Sequence, residues 1–496
     1  MKKLLNLLFI IFISFTLVSC TETSQVTTIN SLSDLEGKKI GVILGSSEDL
    51  ATSSIKDAII ERFNSVADEM KSLSQGKLDC VVVNEGAAKS FLEKDDSLSV
   101  LDEAFAEENS AICVSKNNPE LKEKLNTIIA ELKEEGIIQQ VLDNYLDDEK
   151  KGTQPYVSPD NVDRSNGTFV VATNAELEPY EYIENGKYVG IEMELAQAIA
   201  DKLGMKLQIE DMQFTAIINA VQSGKADVGF SGMVITEERK KSIDFTDPIY
   251  EAARKIVVYR NGKQTTNYSF IQRIYQNFIT ENRYQTLLKG LGTTLIITLG
   301  AEIIALVLGI IIAYIRYTAD KLHVFYISNL LMKLYLTVIR GTPSVIQLLI
   351  IYYVIFANVN VNKILICVVA FGLNSAAYVA EIIRSGWNSV GKEQYEAGRS
   401  LGFTYRQTMR LFIFPQAIKN IIPALGNEFI GLLKGTAIAG YIGIVDLTRA
   451  GDYIRSRTYE ALLPLVSVAL IYLVIVIFMS LLVTYLERRL NQNEKR

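Results

Sequence analysis

Apolar and polar positions divide this chain into two halves with different periods. Up to residue 260, short alternating apolar runs are punctuated by Gly, Ser and Asp. Lys38–Leu44, Leu78–Val83 and Ser110–Ser115 read as strands. Gly45-Ser46-Ser47 breaks the first of these, and a helical pattern follows to Phe63. Two helices are expected between Pro119 and Tyr145, separated at Gly136. Residues 148–165 are polar, carry two prolines and read as a linker. A second unit offers a strand at Thr168–Thr173, helices at Glu192–Leu203 and Phe214–Gln222, and a strand at Ala226–Phe230. It continues with a short helix from Thr236 and a last strand at Lys255–Tyr259. Strands alternating with helices predict α/β units with parallel sheets covered by helices.

Beyond residue 260 the apolar runs lengthen to membrane scale, where about 20 residues cross the hydrocarbon core. Leu291–Ile315, Val361–Ile383, Ile421–Ile444 and Leu462–Leu486 are expected spans, as is Ser344–Ala357 with its start inside 328–340. The membrane half is therefore predicted to be all-α with five transmembrane helices.

Charge follows the same division. Residues 1–260 hold 27 Lys and Arg against 44 Asp and Glu, net −17; residues 261–496 hold 23 against 12, net +11, which together give the −6 of the whole chain. An acidic soluble half on a basic apolar half predicts an extracytoplasmic domain on a multi-pass plasma-membrane domain, because Lys and Arg are retained in cytoplasmic loops. With the N-terminus outside, five spans put the 316–340 loop, the polar stretch near 400 and the tail ERRLNQNEKR inside. No basic run with interleaved aromatics points to nucleic acid.

The N-terminus reads as a targeting signal. Lys2 and Lys3 precede the apolar run Leu4–Leu17, too short for a span, which ends in Leu17-Val18-Ser19-Cys20. This resembles a bacterial lipobox, with Cys20 lipidated and residues 1–20 a signal peptide. Cys80, Cys113 and Cys367 lie in apolar runs and read as small hydrophobes; a Cys80–Cys113 bond is permitted outside the cell but not required. A single histidine, His323, leaves little for a His triad or a His-rich metal site.

One polar segment stands out among the spans. From Arg384 to Asn420, Lys and Arg number six against two Glu, net +4, with interruptions at Gly402 and Pro415. Within it, EAGRSLGFTYRQTMRLFIFPQAIK resembles the EAA loop of ATP-binding-cassette import permeases, at Glu396, Ala397, Gly402 and Pro415. It departs at Gly398, usually Ala there, and at Phe412 and Phe414, usually aliphatic. In that family the loop, here 392–419, seats in a groove of a separate ATPase subunit. RGTPSVIQ (340–347), NSAAYVAEIIRSG (374–386) and LLKGTAIAGYIGIVDL (432–447) resemble the amino-acid permeases of this class. Glu302, Glu381, Asn427, Glu428 and Lys434 lie at or near membrane depth, where ionisable groups mark pathways or interfaces; helix-end snorkelling is the simpler reading for Glu381.

The soluble half resembles two-lobed amino-acid-binding proteins. EPYEY (178–182), GIEMELAQAIADKLG (190–204) and SGKADVGFSGMVITEERKKSIDFTDPIY (223–250) are similar to the family's first lobe. SLSDLEGKKIGVILGSS, GKLDCVVVN and ENSAICVSKNNPELKEKLN, ending in VLDNYL, are similar to its second lobe and closing helices. The order is inverted, which implies a circular permutation: second lobe plus closing helices in 21–147, linker 148–165, first lobe in 166–260. A connector (261–285) and the permease (286–496) follow. Permutation requires ends that lie close together, so residues near Asn30 and Arg260 are expected to be neighbours.

The resemblance implies a site. Arg239 matches the family's carboxylate-binding arginine, whose planar fork suits a carboxylate. Thr236, Ser231 and Gly232 match ligand-contacting positions, and Ser46 and Ser47, at a helix start, close on the same carboxylate from the other lobe. Tyr180 and Tyr182 match cleft aromatics. Asn84 and Asn174 stand where the family places aspartates, which leaves the ammonium an uncharged acceptor there or Glu85 as an alternative. The reading is a receptor and permease in one chain, a subunit of an ATP-driven importer for a polar amino acid. It implies a separate ATPase, a symmetric homodimer, and no cofactor on this chain, which lacks a G-x-x-x-x-G-K-[ST] loop. A ligand-gated channel or a sensor is the alternative; the first would interrupt the lobes with a pore loop, the second would carry a cytoplasmic output domain.

Overall fold

The alternating half of the chain folds into two sheets that exchange strands. The computed structural model describes residues 29–262, 268–357, 359 and 361–491; the signal segment and Cys20 lie outside the described residues. The N-lobe opens with β1 (Lys39–Ile43), α1 (Ser47–Thr52), β2 (Ile59–Phe63), α2 (Val66–Ser74), β3 (Cys80–Asn84), α3 (Glu85–Leu92), β4 (Leu98–Val100) and β5 (Ala106–Ser110). The C-lobe contains β6 (Cys113–Val114), α4 (Pro119–Glu134), α5 (Ile137–Leu146), β7 (Thr168–Thr173), β8 (Tyr182–Glu184) and β9 (Lys187–Val189). It continues with α6 (Ile191–Leu203), β10 (Lys206–Asp211), α7 (Ile217–Gln222), β11 (Val228–Gly229), α8 (Glu237–Lys240) and β12 (Asp244–Phe245). β13 (Tyr250–Arg260) then returns to the N-lobe, whose sheet runs β2-β1-β3-β13-β4 with β5 also paired to β13. The C-lobe sheet runs β10-β7-β11-β6-β12.

Two sequence expectations change here. The helix expected to reach Phe63 stops at Thr52; Asp57 turns the chain at φ 57°, and Ile59–Phe63 pairs in parallel with β1. Its Ile-Ile and Phe suit a pleated edge, and the ladder outweighs local helical pattern. The last strand also leaves its unit: β13 pairs antiparallel with β3, β4 and β5, so residues 250–260 join the N-lobe rather than closing the 166–260 unit. Its alternation serves both faces of that sheet, Ile256 and Val258 in one buried cluster and Val257 in the other. Strand periodicity specifies a face, not a sheet, so the sequence left this open.

The chain thus crosses between lobes after Ser110 and again before Tyr250. Ile29 shares a buried cluster with Val257, which brings the two ends of the soluble half to one lobe. The 148–165 segment stays on the C-lobe: Tyr156 N donates to Glu194 at 2.7 Å and Arg164 reaches Asp201 at 2.6 Å, both acceptors on α6. Cys80 and Cys113 are buried, unbonded and in different sheets.

The membrane half contains α9 (Phe270–Ile274), α10 (Tyr284–Leu322), α11 (Tyr326–Gly341), α12 (Ser344–Ile350), α13 (Lys363–Asn388), α14 (Lys392–Ser400), α15 (Tyr405–Thr408), α16 (Phe414–Gly435), α17 (Leu447–Thr458) and α18 (Leu462–Asn491). Three helices among the described residues are long and apolar enough to cross a membrane; the total is five if each of two bent pairs, at 111° and 53°, counts as one span. Small residues bring α10 and α13 together: a side chain at Gly300 would meet Val368 at 2.9 Å, and one at Gly372 would meet Ile304 at 2.8 Å. Pro415 does not break the chain as expected. A π-turn at Met409–Ile413 runs into α16 with Ile413 still helical, so the chain passes through Pro415 without a break.

Candidate functional site

An open cleft lies between the lobes, lined by residues of both. Of the expected residues, Ser46, Asn84, Asn174, Ser231 and Gly232 line it. Ser46 caps α1, accepting from Asp49 N at 3.2 Å. Asn84 ends β3 with its amide facing Gly232 across the cleft. Asn174 donates its amide to the Met212 carbonyl at 2.9 Å.

Arg239 bridges the lobes. Its Nη1 donates to the Val234 carbonyl and its Nη2 to the Gly45 carbonyl of the N-lobe, both at 2.8 Å, and it lies 5.5 Å from the centre of the Phe214 ring, which borders the cleft. Thr236 caps the short helix that carries it, accepting from Arg239 N at 3.2 Å. Ser47 faces away from the cleft lining and donates to Glu108 at 2.7 Å.

Several expected ligand contacts are already committed within the protein. The Ser231 hydroxyl donates to Glu181 Oε1 at 2.8 Å, and Gly232, at φ 54°, donates its N–H to Glu192 at 2.8 Å. Tyr180 stacks on Tyr250 at 6.4 Å and abuts Gly86 of α3, where any side chain would meet its hydroxyl at 2.8 Å. Tyr182 leaves the cleft altogether: the Arg457 guanidinium lies 4.5 Å over its ring. Its neighbour Glu181 lines the cleft instead.

The sequence reading missed the acids of the cleft. Glu48 and Lys255 border it as a buried ion pair at 2.5 Å. Burial raises the Glu48 carboxyl, but the Lys255 ammonium more than offsets this and holds it below its ordinary value. Glu181 and Glu192 are fully buried beside one another; burial, then the neighbouring carboxyl, pushes Glu181 well above the carboxylate range, and burial brings Glu192 to about 7. Glu85, the alternative acceptor, is taken by Arg254 at 3.1 Å. Their signal was present in EPYEY, GSSED and GIEME, but acids in such runs read as helix starts and surface positions.

One helix of the membrane half engages both lobes. On α17, Arg449 pairs with Glu176 and, at 3.1 Å, with Asp211, while Tyr453 also donates to Asp211, all on the C-lobe. Arg455 pairs with Asp68 of α2 in the N-lobe, and Arg457 reaches Glu178 at 2.7 Å. Gly443, at φ 75°, lets the Asp211 carbonyl pack directly on its backbone.

At the far end of the bundle, α14 and α15 form the basic helix pair. Glu396 and Ala397 lie on α14, and Gly402 turns the chain at φ 84°. Gly398 is buried where any side chain would meet Thr408 at 2.7 Å, which explains glycine at this position. Glu396 borders a cavity with Tyr317, Trp387, Tyr395 and Tyr405. Inside the bundle, Ser375 donates to Glu428 at 2.8 Å, and Glu381 pairs with Arg384.

The sequence model of bacterial extracellular solute-binding proteins, family 3, matches residues 169–433. The arginine transport system permease protein ArtQ of Bacillus subtilis (strain 168) is 38% identical over 210 residues, which are 42% of this chain and 94% of ArtQ. The probable amino-acid permease protein YxeN of the same organism is 37% identical over 213 residues, 42% of this chain and 93% of YxeN. A crystal structure of an amino acid ABC transporter with histidines is 40% identical, covers 45% of this chain and 100% of that chain, and superposes with a TM-score of 0.41.

Proposed function

This chain belongs to the bacterial extracellular solute-binding proteins, family 3, joined in one polypeptide to an amino-acid permease of the ATP-binding-cassette class, and from that premise we propose how it works. It serves as receptor and permease of an ATP-driven importer for a polar amino acid. The soluble half is the circularly permuted form of the two-lobed receptor, a reading supported by the strand exchange and by Ile29 and Val257 meeting in one cluster.

The amino acid enters the cleft, and its carboxylate replaces the Gly45 carbonyl at Arg239, whose charge and fork favour a carboxylate over a neutral oxygen. A ligand touching both lobes favours the closed form by its differential affinity for it. The observation that carries this reading is the bivalent contact of α17, with Arg455 on one lobe and Arg449 on the other. A helix that pairs with both lobes at once is satisfied in only one relative position of the lobes.

The soluble half lies outside the membrane with the α14–α15 pair inside, where Glu396, Ala397, Gly398, Gly402 and Pro415 receive a separate ATPase. This chain is then a non-enzymatic subunit, binds no cofactor, and pairs with a second copy to enclose the pathway; Cys20 adds a lipid anchor. Co-reconstitution of the chain with an ATPase subunit in liposomes tests it. Amino-acid-stimulated ATP hydrolysis with uptake of the same solute is expected, and uptake without any ATPase overturns the reading.

A further inference from the structure

An amino acid needs an anionic partner for its ammonium, and neither residue expected to supply one is an acid. Asn84 carries no charge, and Asn174 commits its amide to Met212. Two acids border the cleft. Glu48 is neutralised by Lys255 at 2.5 Å. The other is Glu181, 1% exposed, on the C-lobe wall. Its Oε1 accepts from Ser231 at 2.8 Å, and its Oε2 has no donor among the described residues. A carboxylate accepts about four hydrogen bonds, so capacity remains.

Behind Glu181 lies Glu192, fully buried, which accepts from Gly232 N at 2.8 and 3.0 Å and from the Tyr250 hydroxyl at 2.7 Å. Ser231 and Gly232, adjacent in the chain, hold the two carboxyls next to one another. Two like charges buried side by side are not both ionised, so the pair holds a proton. Asp211 on β10 adds negative charge to the surroundings, and Lys255 on β13 opposes it. Glu85 on α3 is paired with Arg254, and the Tyr180 and Tyr250 phenols are held neutral by burial.

We propose that Glu181 receives the ligand's ammonium and that binding expels to solvent the proton it shares with Glu192. The pair then passes from one negative charge to two, and the ammonium supplies the compensating positive charge. Affinity accordingly rises with pH until the pair has lost its proton in the empty protein. This inference rests on the amino-acid reading of the cleft given above.

The test is calorimetric titration of the full-length protein in detergent with each common L-amino acid. It is run between about pH 5.5 and 8, in two buffers of different ionisation heat. Expected are a proton released on binding near pH 6 and an affinity roughly tenfold higher at pH 7.5 than at 5.5. Glu181→Gln is expected to weaken binding at least about tenfold at pH 7.5. Glu192→Gln is expected to keep that affinity and abolish the pH dependence. Wild-type affinity in Glu181→Gln, or a pH-independent wild type, overturns the assignment and leaves the importer intact. If no amino acid binds the wild type at any pH, the amino-acid reading falls, and this inference with it.

Discussion

At the scale of single residues, the cleft is governed by buried charges that must be paired. Lys255→Met leaves Glu48 buried without its counter-charge, a loss of roughly 3–5 kcal/mol. Thermal unfolding of the variant at neutral pH should show a clear fall in Tm, and an unchanged Tm would place the pair in water instead. The two acid environments also titrate oppositely. Glu48 is depressed by Lys255, so its contribution is present above about pH 4.5 and disappears as pH falls below that value. Glu192 is raised to about 7, so the folded protein holds a proton that the unfolded chain releases, and stability declines as pH rises from 4.5 to 7. Glu192→Gln should flatten that second slope in pH-dependent unfolding curves and leave the acid limb in place. Arg239 is set apart by its fork: Arg239→Lys should weaken amino-acid binding about 10- to 100-fold by titration calorimetry, because an ammonium cannot match a carboxylate at two points.

At the scale of elements, glycines decide how closely helices and loops approach. Gly443 accepts the Asp211 carbonyl on its bare backbone at φ 75°. Gly443→Val should disengage α17 from the C-lobe. Ligand binding should persist while amino-acid-stimulated ATP hydrolysis in liposomes falls severalfold; full stimulation would show that this contact transmits nothing. Gly398 plays the same part between α14 and α15, where Thr408 is fully buried against it. Much at this scale was legible. The strands of the first half and the apolar helices of the second appeared near their expected positions, since periodicity and length are local properties. The exceptions include Ile59–Phe63 and Tyr250–Arg260, whose states are set by partners distant in sequence, and the strands Tyr182–Glu184, Lys187–Val189 and Lys206–Asp211, which the apolar pattern did not announce.

At the scale of the whole molecule, the receptor rests on its own permease through charges from both lobes. Arg455→Glu should reduce stimulated hydrolysis by removing the N-lobe contact, and Asp68→Arg in the same chain should restore part of it. Failure of the reversed pair to rescue would mean that Asp68 and Arg455 do not couple the lobe to the membrane helix. Tethering also keeps the receptor at an effective concentration on the order of millimolar near the pore, without new contacts.

The sequence by itself determined the division into an acidic α/β half and a basic apolar half, and the basic helix pair with its Gly402 turn. These follow from composition, hydrophobic period and motifs, all of which act over short stretches of chain. Only the tertiary structure decided that β13 completes the N-lobe sheet, that Tyr182 faces Arg457 rather than the cleft, and that Glu48, Lys255 and Glu181 meet around one space. Those facts depend on burial and on charges brought together from distant sites, Glu48 and Lys255 being 207 residues apart. The energy of such a charge is set by what surrounds it in three dimensions, and no local pattern records that.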